Sequence, residues 1–138
     1  MELQHALDFA RDRRFGVLTT IRRNSRPQLS NIVYKVGDDG IIRVSITADR
    51  AKYTNLVREP WAALHISNED FFAYVVLEAD AELAPVAEAT DDPTVDELVE
   101  LYRGLSGEHE DWDAYRVAMV TDRRTVLRLR PDRAYGMA

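Results

Sequence analysis

Cysteine is absent from the 138 residues, which removes disulfides, thiolate nucleophiles and cysteine-ligated zinc from consideration. Histidine is scarce: His5, His65 and His109 are the only three, and none stands four residues from another, the spacing that lets two imidazoles share a metal on one helix face. No metal is expected. Long apolar runs are missing too, since nothing approaches the roughly 18–20 residues of a membrane span. The opening stretch MELQHALDFARDRRFG carries charges where a signal peptide has its apolar centre. The expectation is a cytoplasmic protein without a membrane partner. No linker, repeat or low-complexity segment interrupts the chain, and its length suits a single domain, residues 1–138, around one core.

The charge that is present is unevenly placed. Formal net charge is −6, yet through Arg58 there are 11 basic and 6 acidic residues, and from Glu59 onward 7 basic and 18 acidic. The first part is therefore +5 and the second −11, so a small anion suits the N-terminal half. A long polyanion such as nucleic acid would meet the acidic half and is not expected as a partner.

Periodicity outlines the elements. Leu3, Leu7 and Ala10 recur at helical spacing. FGVLTTIRRNSRPQLSNIVYKV then alternates, with Val17, Thr19 and Ile21 on one face and a turn at Asn24-Ser25, and reads as a hairpin. Gly37-Asp38-Asp39-Gly40 leads into a third strand, IIRVSIT. A helix follows Asp49 as its cap and stops before Pro60, because a residue preceding proline disfavours helical geometry. WAALHIS resumes as a strand. FFAYVVLEADAELAPV gives a longer one, its apolar face formed by Val75, Leu77, Ala79, Ala81 and Leu83 and its other face by Glu78, Asp80 and Glu82, read as a solvated surface. Asp92 with Pro93 opens a helix carrying Val95, Leu98, Tyr102 and Leu105. Asp111 caps another, whose stripe of Trp112, Tyr115 and Met119 reads as core packing. RTVLRLRPDRAYG closes the chain as a last strand. This is a mainly β chain with helical insertions, and six short antiparallel strands favour a small barrel.

No nucleophile elbow, P-loop or glycine-rich dinucleotide turn is present, and no catalytic side chain is named by the sequence. The strongest local signal is the strand-to-helix turn SITADRAKYTN. Ser45 and Thr47 share one strand face, and Arg50 and Lys52 fall at the start of the helix, where the macrodipole is already positive and a cation costs about 0.3–1 kcal/mol. Hydroxyls, free amides and cations together suit a phosphate. Spacing alone is met more readily by cations that are solvated or paired with Asp49 and Glu59.

The run D-R-x-K-x-x-N-L-x-x-x-P-x-A, spelled by Asp49, Arg50, Lys52, Asn55, Leu56, Pro60 and Ala62, resembles the flavin phosphate motif of the pyridoxamine 5′-phosphate oxidase-like split β-barrels. FGVLTTIRRNSRPQLSNIVY is similar to the branch called flavin/deazaflavin oxidoreductases, group B. GEHEDWDAYRVAMVTDRR and the terminal AYG resemble its members that use the deazaflavin coenzyme F420. The resemblance implies a six-stranded antiparallel split β-barrel of the FMN-binding type, forming a homodimer with two cofactor sites at the subunit interface. It implies that Arg50 and Lys52 bind the cofactor phosphate with Ser45 and Thr47 beside it, and that Gln28, Ser30 and Asn31 lie along the tricyclic ring. Phe72 and Tyr74 would reach toward the partner's site, and Asn55 would hold the turn. The implied activity is that of an F420H2-dependent oxidoreductase, passing hydride to an unsaturated small-molecule substrate, with the cofactor carrying the chemistry. An FMN-dependent oxidase or reductase, and a non-catalytic F420 or flavin carrier, are the alternatives.

Overall fold

Alternating apolar residues and a few well-placed breaks produce a sheet whose two ends curl toward each other. The computed structural model describes residues 1–138. Helix α1 (Leu3–Arg11) buries Ala6, Leu7 and Ala10. The strands are β1 (Phe15–Ile21), β2 (Pro27–Val33), β3 (Lys35–Val36), β4 (Ile42–Thr47), β5 (Trp61–Ser67), β6 (Tyr74–Leu83) and β7 (Arg124–Met137). Helix α2 (Ala51–Arg58) follows β4, and the pair α3 (Pro93–Ser106) and α4 (Trp112–Thr121) separates β6 from β7.

All seven strands lie in one antiparallel sheet of order β2-β1-β5-β6-β7-β4-β3. Its curl brings β2 close to β4, although no ladder joins them. The result is a half-barrel around a core that includes Leu18, Ile42, Ile46, Leu64, Ile66 and Leu127. The β6–β7 ladder, the longest, changes register between Glu78 and Ala79, where Pro131 takes the ladder position opposite Ala79. A bulge is where proline's missing N–H is tolerated, and it sharpens the local twist.

Two expectations are corrected and one is completed. There are seven strands, not six, because the second strand breaks at Tyr34. That residue's amide donates to Arg14 O and its hydroxyl to Ala10 O (2.8 Å), so the chain leaves β1 and Lys35–Val36 pairs with β4 instead. Val17, Thr19 and Ile21 share a face as expected, and the structure adds that the core takes the other one, with Leu18 and Thr20 buried. Asp49 does not cap α2: Arg50 is the N-cap residue, extended at φ −86° and ψ 150°, with no side-chain cap.

The other helix ends follow their sequence. Asp92 accepts from Val95 N and Asp111 from Ala114 N, each satisfying a first-turn amide. The C-cap of α2, Glu59, is extended ahead of Pro60. Helices α3 and α4 pack on β7 through a smaller core of Val95, Leu98, Met119 and Val126. Glu97 then fastens α3 over the outer face of the sheet, accepting from Arg43 on β4 (3.1 Å) and from both Nε (2.9 Å) and Nη2 of Arg128 on β7.

Candidate functional site

Strand β4 has two faces of different character. Ile42, Val44 and Ile46 enter the core, leaving Arg43, Ser45 and Thr47 to point outward beneath α3 and α4. The β4–β7 register sets Arg124 opposite Thr47, so Arg124 joins that outward face. Between this face, the two helices and the edge of β2 lies a cavity of about 610 Å³, within the range of about 300–1,000 Å³ usual for small-molecule sites.

One end of the cavity is cationic. Arg50, Lys52 and Arg124 line it beside Ser45 and Thr47, and no carboxylate belongs to its wall. None of the three forms an ion pair. Asp49 stays outside, its carboxyl held below the usual range by the Thr47 hydroxyl, with the Arg50 and Arg123 charges adding to the effect. Burial, and then the charges of Arg50 and Arg124, push the Lys52 ammonium down. Arg124 donates from Nη1 to Ser45 Oγ (3.3 Å) and Ser45 O (3.4 Å), while its buried Nε has no partner. Mutually repelling cations plus an orphaned N–H are costly unless an anion completes them. The first amides of α2 open at the same place. A phosphate fits this donor set.

The opposite wall is apolar and aromatic. Leu101, Tyr102 and Leu105 come from α3, Tyr115 and Met119 from α4. Tyr102 packs against Tyr115 (5.1 Å), His109 (5.2 Å) and Trp112 (5.7 Å) between ring centroids. Tyr115 donates to Leu98 O (3.0 Å), and burial pushes its phenol up to about 12. An apolar wall facing a cationic end suits a flat, largely apolar molecule with an anionic arm.

Of the residues singled out in the sequence, Asn31, Ser45, Thr47, Arg50 and Lys52 meet at this cavity. Gln28 and Ser30 lie on the inner face of β2, opposite Thr20 and Leu18. Gln28 is turned toward α2, accepting from Asn55 Nδ2 (3.3 Å). Asn55 also donates to Thr20 Oγ1 (3.2 Å) and accepts from Arg58, so its side chain ties α2 to β1 and β2 and makes no bond within the turn itself. Phe72 is 83% exposed in the β5–β6 turn, and Tyr74 stacks on His65 at 5.3 Å on the outer sheet face; within one chain neither reaches the cavity. The sequence reading missed Arg124 and Tyr102, and took Tyr115 and Met119 for core alone. The two arginines ending TDRR, ahead of an alternating strand, were the available signal for Arg124, but its partner strand lies far away in sequence.

The family model described as Pyridoxamine 5'-phosphate oxidase matches residues 3–138, and the chain belongs to that family. Among solved structures it resembles a conserved hypothetical protein of Mycobacterium tuberculosis, at TM-score 0.75 and 24% identity over 99% of this chain and 84% of the other. It also resembles a protein described as an F420 reductase, at TM-score 0.70 and 22% identity over 93% and 94%. A third is a heme-storage protein of Vibrio cholerae, at TM-score 0.70 and 18% identity over 99% and 96%. Likeness at these identities establishes the split-barrel fold. No helix is long and apolar enough to cross a membrane.

Proposed function

We propose that the protein is an F420H2-dependent oxidoreductase, cytoplasmic and homodimeric, that reduces an unsaturated small molecule. The observation that carries this reading is the cation group Arg50, Lys52 and Arg124, assembled without a carboxylate around a cavity whose other wall is aromatic. Bound there, the reduced deazaflavin supplies the hydride. Arg50, Lys52 and Arg124 would hold the phosphodiester, with Ser45 and Thr47 adding hydroxyl donors. Asn31 offers an amide to the polar edge of the ring system. The aliphatic and aromatic side chains of α3 and α4 exclude water, which strengthens every charged contact inside. Tyr115 is committed to Leu98 O; Tyr102, on the same wall, has no protein partner for its hydroxyl and would be the tyrosine available to a bound substrate as a proton donor.

Dimerisation accounts for the outer face of the sheet. The register puts Leu29 opposite Thr19, Val33 opposite Phe15, and Tyr135 opposite Val76 on that face, with Leu29 62% and Phe15 64% exposed. A second copy covering this surface would bury it. It would also bring Phe72 and Tyr74 against the partner, where they could complete its site, with Gln28 and Ser30 supporting the strand beside the ring.

FMN is the second reading, because the same three cations serve a phosphate monoester equally well. Equilibrium titration with F420 and with FMN, on the wild type, Arg50→Ala and Lys52→Ala, tests both. Preferential F420 binding that falls more than about tenfold (about 1.4 kcal/mol) in either variant supports the reductase reading, and tight FMN binding replaces it with the second. A carrier without turnover is separated by assaying reduced coenzyme against a panel of activated alkenes and imines.

A further inference from the structure

Four rings back the apolar wall of the main cavity. Tyr102 on α3, His109 in the connection to α4, and Trp112 and Tyr115 on α4 pack so that every pair of ring centroids lies between 5.1 and 5.7 Å. Only two of them meet the cavity. Tyr102 and Tyr115 belong to its wall, and His109 and Trp112 stand behind those two.

Three of the rings have polar anchors. Tyr115 donates to Leu98 O (3.0 Å). Trp112 Nε1 donates to Glu108 (2.9 Å), which also accepts from Arg103 Nε (2.8 Å), and the Arg103 guanidinium carbon lies 5.0 Å from the Trp112 ring centroid. His109 Nδ1 accepts from the Asp111 amide (2.9 Å), and Asp111 in turn caps α4. Tyr102 has no such anchor. Its ring is oriented by the others, with Trp112 (83°) and His109 (61°) meeting it edge to face. Such contacts are directional, because a positive ring edge seeks a negative ring face. A ring held only by its neighbours turns when one of them is taken away.

We propose that His109 and Trp112 are positioning residues, which hold the Tyr102 phenol toward the substrate and set the depth of the cavity behind it. This role rests on the reading of the cavity as a reductase site with Tyr102 as the available proton donor. The phenol gives its proton to the substrate atom next to the one that takes the hydride, and regains it from solvent. Neither His109 nor Trp112 touches the ligand. Each supplies bulk where Tyr102 would otherwise retreat, so its loss withdraws the phenol and opens space for a larger substrate. A misplacement of about 1 Å at a reacting group can cost about 100-fold in rate. The phosphate end is built on other elements, from Ser45 and Thr47 on β4, Arg50 and Lys52 at the start of α2, and Arg124 on β7. Coenzyme binding is therefore left unchanged.

The test compares His109→Ala, His109→Phe, Trp112→Ala and Tyr102→Phe with wild type. F420 affinity, melting temperature, and kcat and KM against the panel of activated alkenes and imines are measured for each, and the crystal structure of His109→Ala is solved. Both alanine variants should lower kcat about tenfold or more, toward the level of Tyr102→Phe, and leave F420 affinity as it was. Their kcat/KM should shift about tenfold toward the bulkier members of the panel, the scale of one methylene group in an apolar pocket. His109→Phe keeps a ring and gives up the imidazole; it should restore kcat, because bulk and not titration is required. The His109→Ala structure should show the Tyr102 ring turned into the vacated space. If Trp112→Ala does not fold, the His109 pair decides alone, since His109 lies outside both helices. An active wild type whose His109→Ala variant keeps kcat and size preference, or loses F420 affinity, overturns the positioning role alone. So does a His109→Phe variant no faster than His109→Ala, or a His109→Ala structure with Tyr102 unmoved. Wild type that turns over no member of the panel overturns the reductase reading and this role with it.

Discussion

Arg124 and Ser45 meet across the β4–β7 ladder, the guanidinium Nη1 3.3 Å from the serine Oγ and the adjoining Nε buried without a partner. The arrangement fixes the guanidinium beside two further cations, and under the proposed function a bound anion would recover the stability forgone there. Arg124→Ala is expected to weaken a phosphate-bearing ligand by about tenfold or more, on the scale of one charge-assisted hydrogen bond at about 1.5–3 kcal/mol. It should leave the melting temperature of the unliganded protein level or higher, because the repulsion it exerts on Lys52 is relieved. Titration and thermal melts of the same preparation check this; unchanged affinity with a lower melting temperature would make Arg124 structural.

Glu97 governs how α3 sits over the site. Its bonds from Arg128, and then those from Arg43, hold its carboxyl below the usual range. A carboxyl depressed on folding stabilises fully above its unfolded value, about 4.3, and that stabilisation is lost as pH falls through the folded value. Glu97→Gln should therefore cost about 1–2 kcal/mol at neutral pH, allowing for partial exposure. The gap from wild type should close on acidification. Urea denaturation across the acid range measures it, and a pH-independent gap would point to packing instead of charge.

Asn55 is buried and joins three elements, through Thr20 on β1, Gln28 on β2 and Arg58 on its own helix. Asn55→Ala should destabilise by about 1–3 kcal/mol by leaving those groups unpaired. It should also weaken ligand binding, because α2 carries Lys52. An equally stable variant with native affinity would show the amide to be dispensable.

Charge placed on the outer sheet face tests the dimer. Leu29→Glu and Phe15→Glu alter exposed side chains, so a single chain should tolerate them within about 0.5 kcal/mol. Sedimentation should shift from dimer toward monomer. Variants that remain dimeric would move the interface elsewhere.

Much of the fold was legible because its causes are local. The cap at Asp92, the stop before Pro60 and the apolar face of β6 depend on residues within a few positions of one another, and each was read correctly. The short β3 was not. Tyr34 breaks the strand by bonding to Ala10 and Arg14 on the preceding segment, and no periodicity records that. Likewise the period of Val17, Thr19 and Ile21 marked a face without saying which side the core would take, since both faces of β1 carry apolar side chains.

The sequence by itself determined a composition without cysteine or long apolar runs, the order of most elements, and the motif that puts Arg50 and Lys52 after Ser45 and Thr47. Those four residues lie within eight positions, so strand and helix geometry alone bring them together. Tertiary structure decided the rest of the site. Arg124 reaches Ser45 only because β7 pairs with β4 across 79 residues of chain. Tyr102 and Tyr115 face the cations because α3 and α4 pack on β7 through Leu98, Met119 and Val126, and Glu97 ties α3 to two strands. Contacts between distant segments depend on sheet register and side-chain packing, which a local pattern does not encode.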